Sequence, residues 1–200
     1  MVSAFPSNPC RLVVVRHGAT SWSRAGRHTG RTDLPLDPGG EAQARALASR
    51  LRPDWFTGVL VSPLRRARET CDLAGFGAGA EVVEDLAEWD YGDYEGLTSA
   101  QIHEQRPSWS LWEDGAPGGE SVADVQVRAD RVVDLARRSP GNVLAFAHGH
   151  ILRMVAARWL DLPAAAGSRL LLSPAAVGVL GWEREVAVLG PWDDDGTPLG

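Results

Sequence analysis

Three apolar runs in this chain each end on side chains that can hold an anion. LVVVR (12–16) runs into Arg16, His17 and Gly18, GVLVS (58–62) into Pro63, Leu64, Arg65 and Arg66, and NVLAFA (142–147) into His148, Gly149 and His150. A fourth stretch, LAEWDYGDYEG (86–96), is dense in carboxylates and aromatic rings. Two histidines and two arginines suit a phosphoryl dianion, because a guanidinium can meet two phosphate oxygens at once. A carboxylic acid beside them suits proton donation to a leaving oxygen. Arg-His-Gly alone is a weak signal. Its weight comes from the other stretches, which supply partners.

Such groups need rigid elements to hold them. Residues 11–16 read as a buried strand, and 17–37, rich in Gly, Arg and Thr, as a long functional loop. Residues 39–52 have helical spacing, closed by Pro53. After the strand at 58–62, SPLRRARETCDLAG (62–75) reads as a helix with Ser62 as N-cap and Pro63 at the first helical position. A short strand is expected at 81–85 and a short helix near 98–105. Residues 120–139 form a clear amphipathic helix, 142–147 a third buried strand and 150–160 a further helix. The segments 177–183 and 185–189 read as a terminal hairpin. Strands alternating with helices predict one α/β domain over 1–200, a three-layer α/β/α sandwich around a mainly parallel sheet. In such a sheet ligands collect beyond the carboxyl ends of the strands, which sets His17, His148 and an arginine along one edge. Residues 1–9 and 191–200 read as poorly ordered tails.

Composition narrows the chemistry. The chain has 200 residues, is 44% hydrophobic and carries a net charge of −6, a soluble globular composition that argues against general nucleic-acid binding. No apolar run is long enough to span a bilayer, and the N-terminus lacks the features of a signal peptide. Cys10 and Cys71 read as buried thiols, so a cytoplasmic location is expected. All 20 basic residues are arginine. Without lysine, Schiff-base chemistry, pyridoxal-phosphate attachment and a P-loop are excluded. His17, His148 and His150 could hold a metal, but the neighbouring arginines would repel a cation, so neither metal nor cofactor is expected. DDDGT (193–197) mimics an aspartate-nucleophile motif and the start of a calcium loop, yet no helix or closing Glu follows, and a solvated acidic tail is the expected reading.

The blocks RHGATSWSRAGRHTGRTDLPL (16–36), SPLRRARET (62–70), EWDYGDYEG (88–96), GGES (118–121) and AHGH (147–150) occur together and in this order. In that combination the chain resembles the histidine phosphatase superfamily, phosphoglycerate mutase-like branch, with actinobacterial acid phosphatases the nearest group. The resemblance implies a phosphoglycerate mutase-like fold and a role for each matching residue. His17 would be the nucleophile that becomes a phosphohistidine. Arg16, Arg66 and a protonated His148 would form the phosphate pocket, and Glu88 would be the proton donor. Ser23, Thr29, Gly30, Tyr91 and Gly149 fall where the family contacts phosphate or substrate. The nucleophile must be neutral at its attacking nitrogen, so its other nitrogen needs an acceptor that sets the tautomer. Glu88 must hold a proton near working pH, which predicts an acidic pH optimum.

Mutase relatives carry Glu-Arg-x-Tyr at the donor loop, then a lysine and an Arg-Arg pair. Here the loop reads Glu88-Trp89-Asp90-Tyr91, no lysine exists, and 106–115 holds no Arg-Arg pair. Asp90, Asp93 and Glu95 would repel a second phosphate, and Trp89, Trp109 and Trp112 would offer apolar contact to a leaving group. The expected function is therefore a phosphomonoesterase acting on a small phosphorylated metabolite. A cofactor-dependent mutase or a sugar bisphosphatase is the alternative, and a non-enzymatic phosphate-binding module a third reading. Arg65 and His103 are expected at the surface, while His28 and His150 are each open between pocket and filler. A terminal strand at the sheet edge would allow a homodimer.

Overall fold

A computed structural model describes residues 10–196. Its strands are β1 (Leu12–Arg16), β2 (Gly58–Val61), β3 (Glu81–Val82), β4 (Val143–Ala147), β5 (Val177–Glu183) and β6 (Val186–Leu189). They form one sheet in the order β3-β2-β4-β1-β5-β6. The pairings β3-β2, β2-β4 and β4-β1 are parallel, whereas β1-β5 and β5-β6 are antiparallel. The principal helices are α1 (Ser21–Arg24), α2 (Pro38–Leu47), α3 (Arg65–Leu73), α4 (Ser99–Gln105), α5 (Leu111–Asp114), α6 (Val122–Arg137) and α7 (Gly149–Trp159).

Both faces of the central strands are covered, which is why they read as unbroken apolar runs rather than alternating ones. Leu12, Val14, Val143 and Ala145 belong to the core under α6 and α7. Val15, Leu144 and Phe146 belong to a second core, with Leu47 of α2 and Ala67 and Cys71 of α3. These are the three layers. Register then places the chemistry. Arg16 pairs with Ala147 across β1 and β4, and the His17 amide donates to the Ala147 carbonyl at 2.9 Å. The next residues of both strands, His17 and His148, therefore leave the sheet side by side.

Several elements are shorter than the sequence suggests. Helix α2 starts at Pro38, capped by the Asp37 carboxylate, and ends at Leu47. Strand β3 stops at Val82 because a tight 3-10 turn follows at Glu84–Leu86. Ser62 does not cap α3. That helix begins at Arg65 behind an extended Leu64, and the Ser62 hydroxyl is instead engaged by His148 Nε2 at 2.7 Å. The segment 191–196 is not a loose tail. Asp194 exchanges backbone hydrogen bonds with Val177, at 2.8 and 3.1 Å, and pairs with Arg50 at 2.9 Å. The Asp193 carboxylate accepts from the Ser173 amide. The expected solvated acidic tail is thus docked at Asp193 and Asp194. The expectations for 1–9 and 197–200 lie outside the described residues. No described helix is long and apolar enough to cross a membrane.

Candidate active site

Gly18 lets the turn after β1 press on the start of α2. A Cβ there would lie 2.4 Å from the Gly40 carbonyl oxygen, and one at Gly40 would lie 2.0 Å from that of Ala19. The Gly18 amide donates to Thr70 Oγ1 of α3 at 3.0 Å, and Thr70 donates to the Arg66 carbonyl at 2.7 Å. So fixed, the Gly18 carbonyl accepts from His17 Nδ1 at 2.7 Å. A carbonyl can only accept, so the His17 proton sits on Nδ1 and Nε2 carries a free lone pair. Burial, then the Arg66 and Arg16 charges, hold His17 well below the ordinary histidine value, so the ring is neutral.

His148 lies behind it, ring centroids 5.1 Å apart. Arg66 Nε donates to His148 Nδ1 at 3.1 Å, so His148 carries its proton on Nε2 and gives it to Ser62. Burial and the Arg66 charge hold His148 well below its ordinary value. With Arg66 Nε donating to its Nδ1, His148 is neutral in this structure, where a protonated ring was expected. A second cation beside Arg66 and Arg16 would carry the full cost of an unpaired buried charge. Arg66 itself is fully buried and binds the Thr32, Thr29 and Gly30 carbonyls, at 3.1, 2.9 and 3.1 Å. It braces the loop that carries Thr29 and Gly30. Arg16 Nη1 donates to the Leu172 carbonyl at 2.6 Å, while its Nε is buried without a partner among the described residues.

Glu88 is buried where the first turn of α7 presents unused amides. Its Oε1 accepts from Trp89 and Ile151, at 3.0 and 2.9 Å, and its Oε2 from His150 at 3.0 Å. Oε2 is thus the oxygen with room for a proton. A cleft of about 230 Å³ brings together Arg16, His17, Ser23, Thr29, Glu88, Tyr91 and Gly149 of the expected residues. Arg66 and His148 stand behind its wall. Gly30 is not on it: its amide is taken by the Glu95 carboxylate at 2.9 and 3.0 Å. Ser23 lines the cleft, but its hydroxyl donates to the Thr20 carbonyl at 3.0 Å in the capping box of α1, which leaves it an acceptor. The Tyr91 hydroxyl is spent on His150 Nδ1 at 2.6 Å.

The three tryptophans do not meet a leaving group. Trp89, Trp109 and Trp112 are all buried, and Trp109 and Trp112 instead back the rings of His28 and His150, with centroids 5.7 and 5.8 Å apart. Two of the three donor-loop acids, Asp90 and Glu95, are not uncompensated either. Asp90 pairs with Arg31 at 2.7 Å, and Glu95 is saturated by the Gly30 and Thr32 amides. The contrast with mutases thus rests on the missing lysine and Arg-Arg pair. Sequence reasoning left His28 and His150 open and missed Arg27 and Arg153, and all four line the cleft. Arg153 sits one helical turn beyond Gly149 on α7, a spacing that could have flagged it. Arg65 is exposed and paired with Glu69, and exposed His103 bonds the Trp109 carbonyl at 3.0 Å.

The profile of the histidine phosphatase superfamily, branch 1, matches residues 12–195. The chain belongs to this superfamily and is one of its phosphatases. An acid phosphatase of Mycobacterium tuberculosis is 47% identical over 188 residues, covering 90% of this chain and 92% of the relative. A sedoheptulose 1,7-bisphosphatase of Saccharomyces cerevisiae is 39% identical, covering 78% of this chain and 70% of the relative. The solved structure of a Mycobacterium tuberculosis open reading frame superposes with a TM-score of 0.86 at 43% identity, over 92% of this chain and 97% of that one.

Proposed function

We propose that the chain hydrolyses small phosphate monoesters through a phosphohistidine on His17, with Glu88 as the acid and then the base. The observation that carries this reading is the hydrogen bond from His17 Nδ1 to the Gly18 carbonyl, 2.7 Å, which leaves Nε2 as a neutral nucleophile. In the first step Nε2 forms a bond to phosphorus and the bond from phosphorus to the ester oxygen breaks. The Glu88 proton passes from Oε2 to that oxygen, and the alcohol leaves. In the second step water attacks phosphorus, Glu88 takes a proton from it, and the nitrogen–phosphorus bond breaks to release inorganic phosphate. Arg16, whose guanidinium lines the cleft, supports both steps, because a fixed guanidinium stabilises the transferring oxygens without reorganisation.

Phosphorus NMR of 3-phosphoglycerate, with and without 2,3-bisphosphoglycerate, tests the reaction class, with p-nitrophenyl phosphate as a parallel substrate. Inorganic phosphate with no 2-phosphoglycerate is the expected result. Interconversion stimulated by the bisphosphate would make the chain a mutase. The variant His17→Ala should lose nearly all turnover, and retained activity would refute the phosphohistidine.

A further inference from the structure

We propose that His28 and His150 form a neutral acceptor–donor pair that reads hydroxyl groups on the leaving group, so that the cleft selects polyol phosphates over simple alkyl phosphates. This rests on the monoesterase reading above and specifies its substrate.

The two tautomers follow from the partners. His28 Nδ1 lies 2.9 Å from the Leu97 carbonyl, which can only accept. The proton is therefore on Nδ1, and His28 Nε2 is a lone-pair acceptor. Tyr91 is buried, and its hydroxyl has His150 Nδ1 as partner at 2.6 Å. A buried O–H needs an acceptor, so it donates to Nδ1, and His150 carries its proton on Nε2. Neither Nε2 has a hydrogen-bond partner among the described residues. Nor is either sealed away, for the buried side-chain atoms without partners are Arg16 Nε and Arg137 Nε. Both rings line the cleft that His17 and Glu88 share. They are nearly parallel, 7° between planes, with centroids 6.2 Å apart, a separation that neighbouring hydroxyls of one ligand can span along the ring edges.

Aromatic neighbours hold the pair. Tyr91 meets both rings edge-on, at 4.8 Å for His28 and 5.8 Å for His150, while Trp109 and Trp112 stand behind. Burial lowers both histidines, which keeps this pair neutral beside Arg27 and Arg153 on the same cleft wall. A neutral donor beside a neutral acceptor matches a hydroxyl or a vicinal pair of them. A leaving group without hydroxyls strips water from both nitrogens and returns nothing. Tyr91 acts here as a positioning residue, setting the His150 tautomer.

The test compares kcat/KM for glycerol 1-phosphate and n-propyl phosphate, which share a three-carbon skeleton and differ by two hydroxyls. The ratio of the first to the second should fall about tenfold in His28→Phe and again in His150→Phe. His28→Gln, which restores an acceptor, should recover most of it. A ratio unchanged in both Phe variants, or a Gln variant as poor as Phe, overturns the proposal. Nitrogen-15 NMR of the unaltered protein gives a check that needs no variant: His28 should be the Nδ1–H tautomer and His150 the Nε2–H tautomer, and any other assignment overturns it. If the unaltered protein releases phosphate from neither ester nor from p-nitrophenyl phosphate, the monoesterase reading itself falls. Equal hydrolysis of both esters leaves that reading standing and removes this one.

Discussion

Replacing Arg16 with methionine should make the empty protein more stable and deaf to phosphate. Among the described residues the guanidinium has one hydrogen bond, from Nη1 to the Leu172 carbonyl, and its Nε is shut away with no partner. An unsatisfied buried donor costs about 1–3 kcal/mol, whereas the bond lost with Leu172 is worth about 1 kcal/mol. Methionine keeps the aliphatic stem and removes a cation whose ionised form burial already disfavours. A net gain of about 1 kcal/mol is expected, or a rise in Tm of about 2–4 °C for a chain of this size. Phosphate at a hundred times its Kd should add about 2.7 kcal/mol to the parent, or about 5–11 °C, and far less to the variant. Scanning calorimetry of both proteins, with and without inorganic phosphate, measures all four values. A variant that melts below the parent in the absence of phosphate, yet keeps the parent's full upward shift in its presence, would refute the reasoning.

The other expectations concern the acid and the pH. Glu88→Gln keeps an acceptor for the α7 amides but removes the transferable proton, so hydrolysis of an alkyl phosphate should drop by about 10²–10⁴-fold and that of p-nitrophenyl phosphate much less. Equal losses on both substrates would show that Glu88 is not the acid. His17, His148 and His150 are held neutral below their ordinary value of 6.5, chiefly by burial. An unfolded histidine takes a proton near 6.5 that the folded one refuses, so their contribution to stability is complete above that pH. It is lost as pH falls from there toward the folded values, by up to about 1.4 kcal/mol per pH unit for each histidine. Urea midpoints near pH 7.5 and 5.5 check this, and equal midpoints would count against neutral histidines.

What the sequence could reveal followed from how local each signal is. Apolar runs covered on both faces are local, so β1, β2 and β4 and the residues that leave them were legible. The order of the sheet carried His17 and His148 to neighbouring positions without further information. Hydroxyl and carboxylate partners are not local. Ser62 looks like a helix cap because its neighbours are right for one, yet a histidine 86 residues away takes its hydroxyl. Asp90 and Glu95 look repulsive until Arg31 and two loop amides are brought against them. The tryptophans near the donor loop suggested a wall for the leaving group, and they are a second layer behind two histidines instead. Tautomers were wholly hidden, since they depend on which atom of a distant residue faces each ring nitrogen.

The sheet order also sets a timetable for synthesis. β1, which leads into the proposed nucleophile His17, is among the first described segments to emerge from a ribosome, but its two neighbours are β4 and β5. Its parallel partner begins at Val143 and its antiparallel partner at Val177. The carbonyl that holds Arg16 belongs to Leu172, and Asp193 steadies the adjacent Ser173. A nascent chain therefore holds β1 without either neighbour until residues 143 onward have been made. The surroundings of Arg16 are complete only when the closing hairpin and the segment after it dock on β1, a strand made long before.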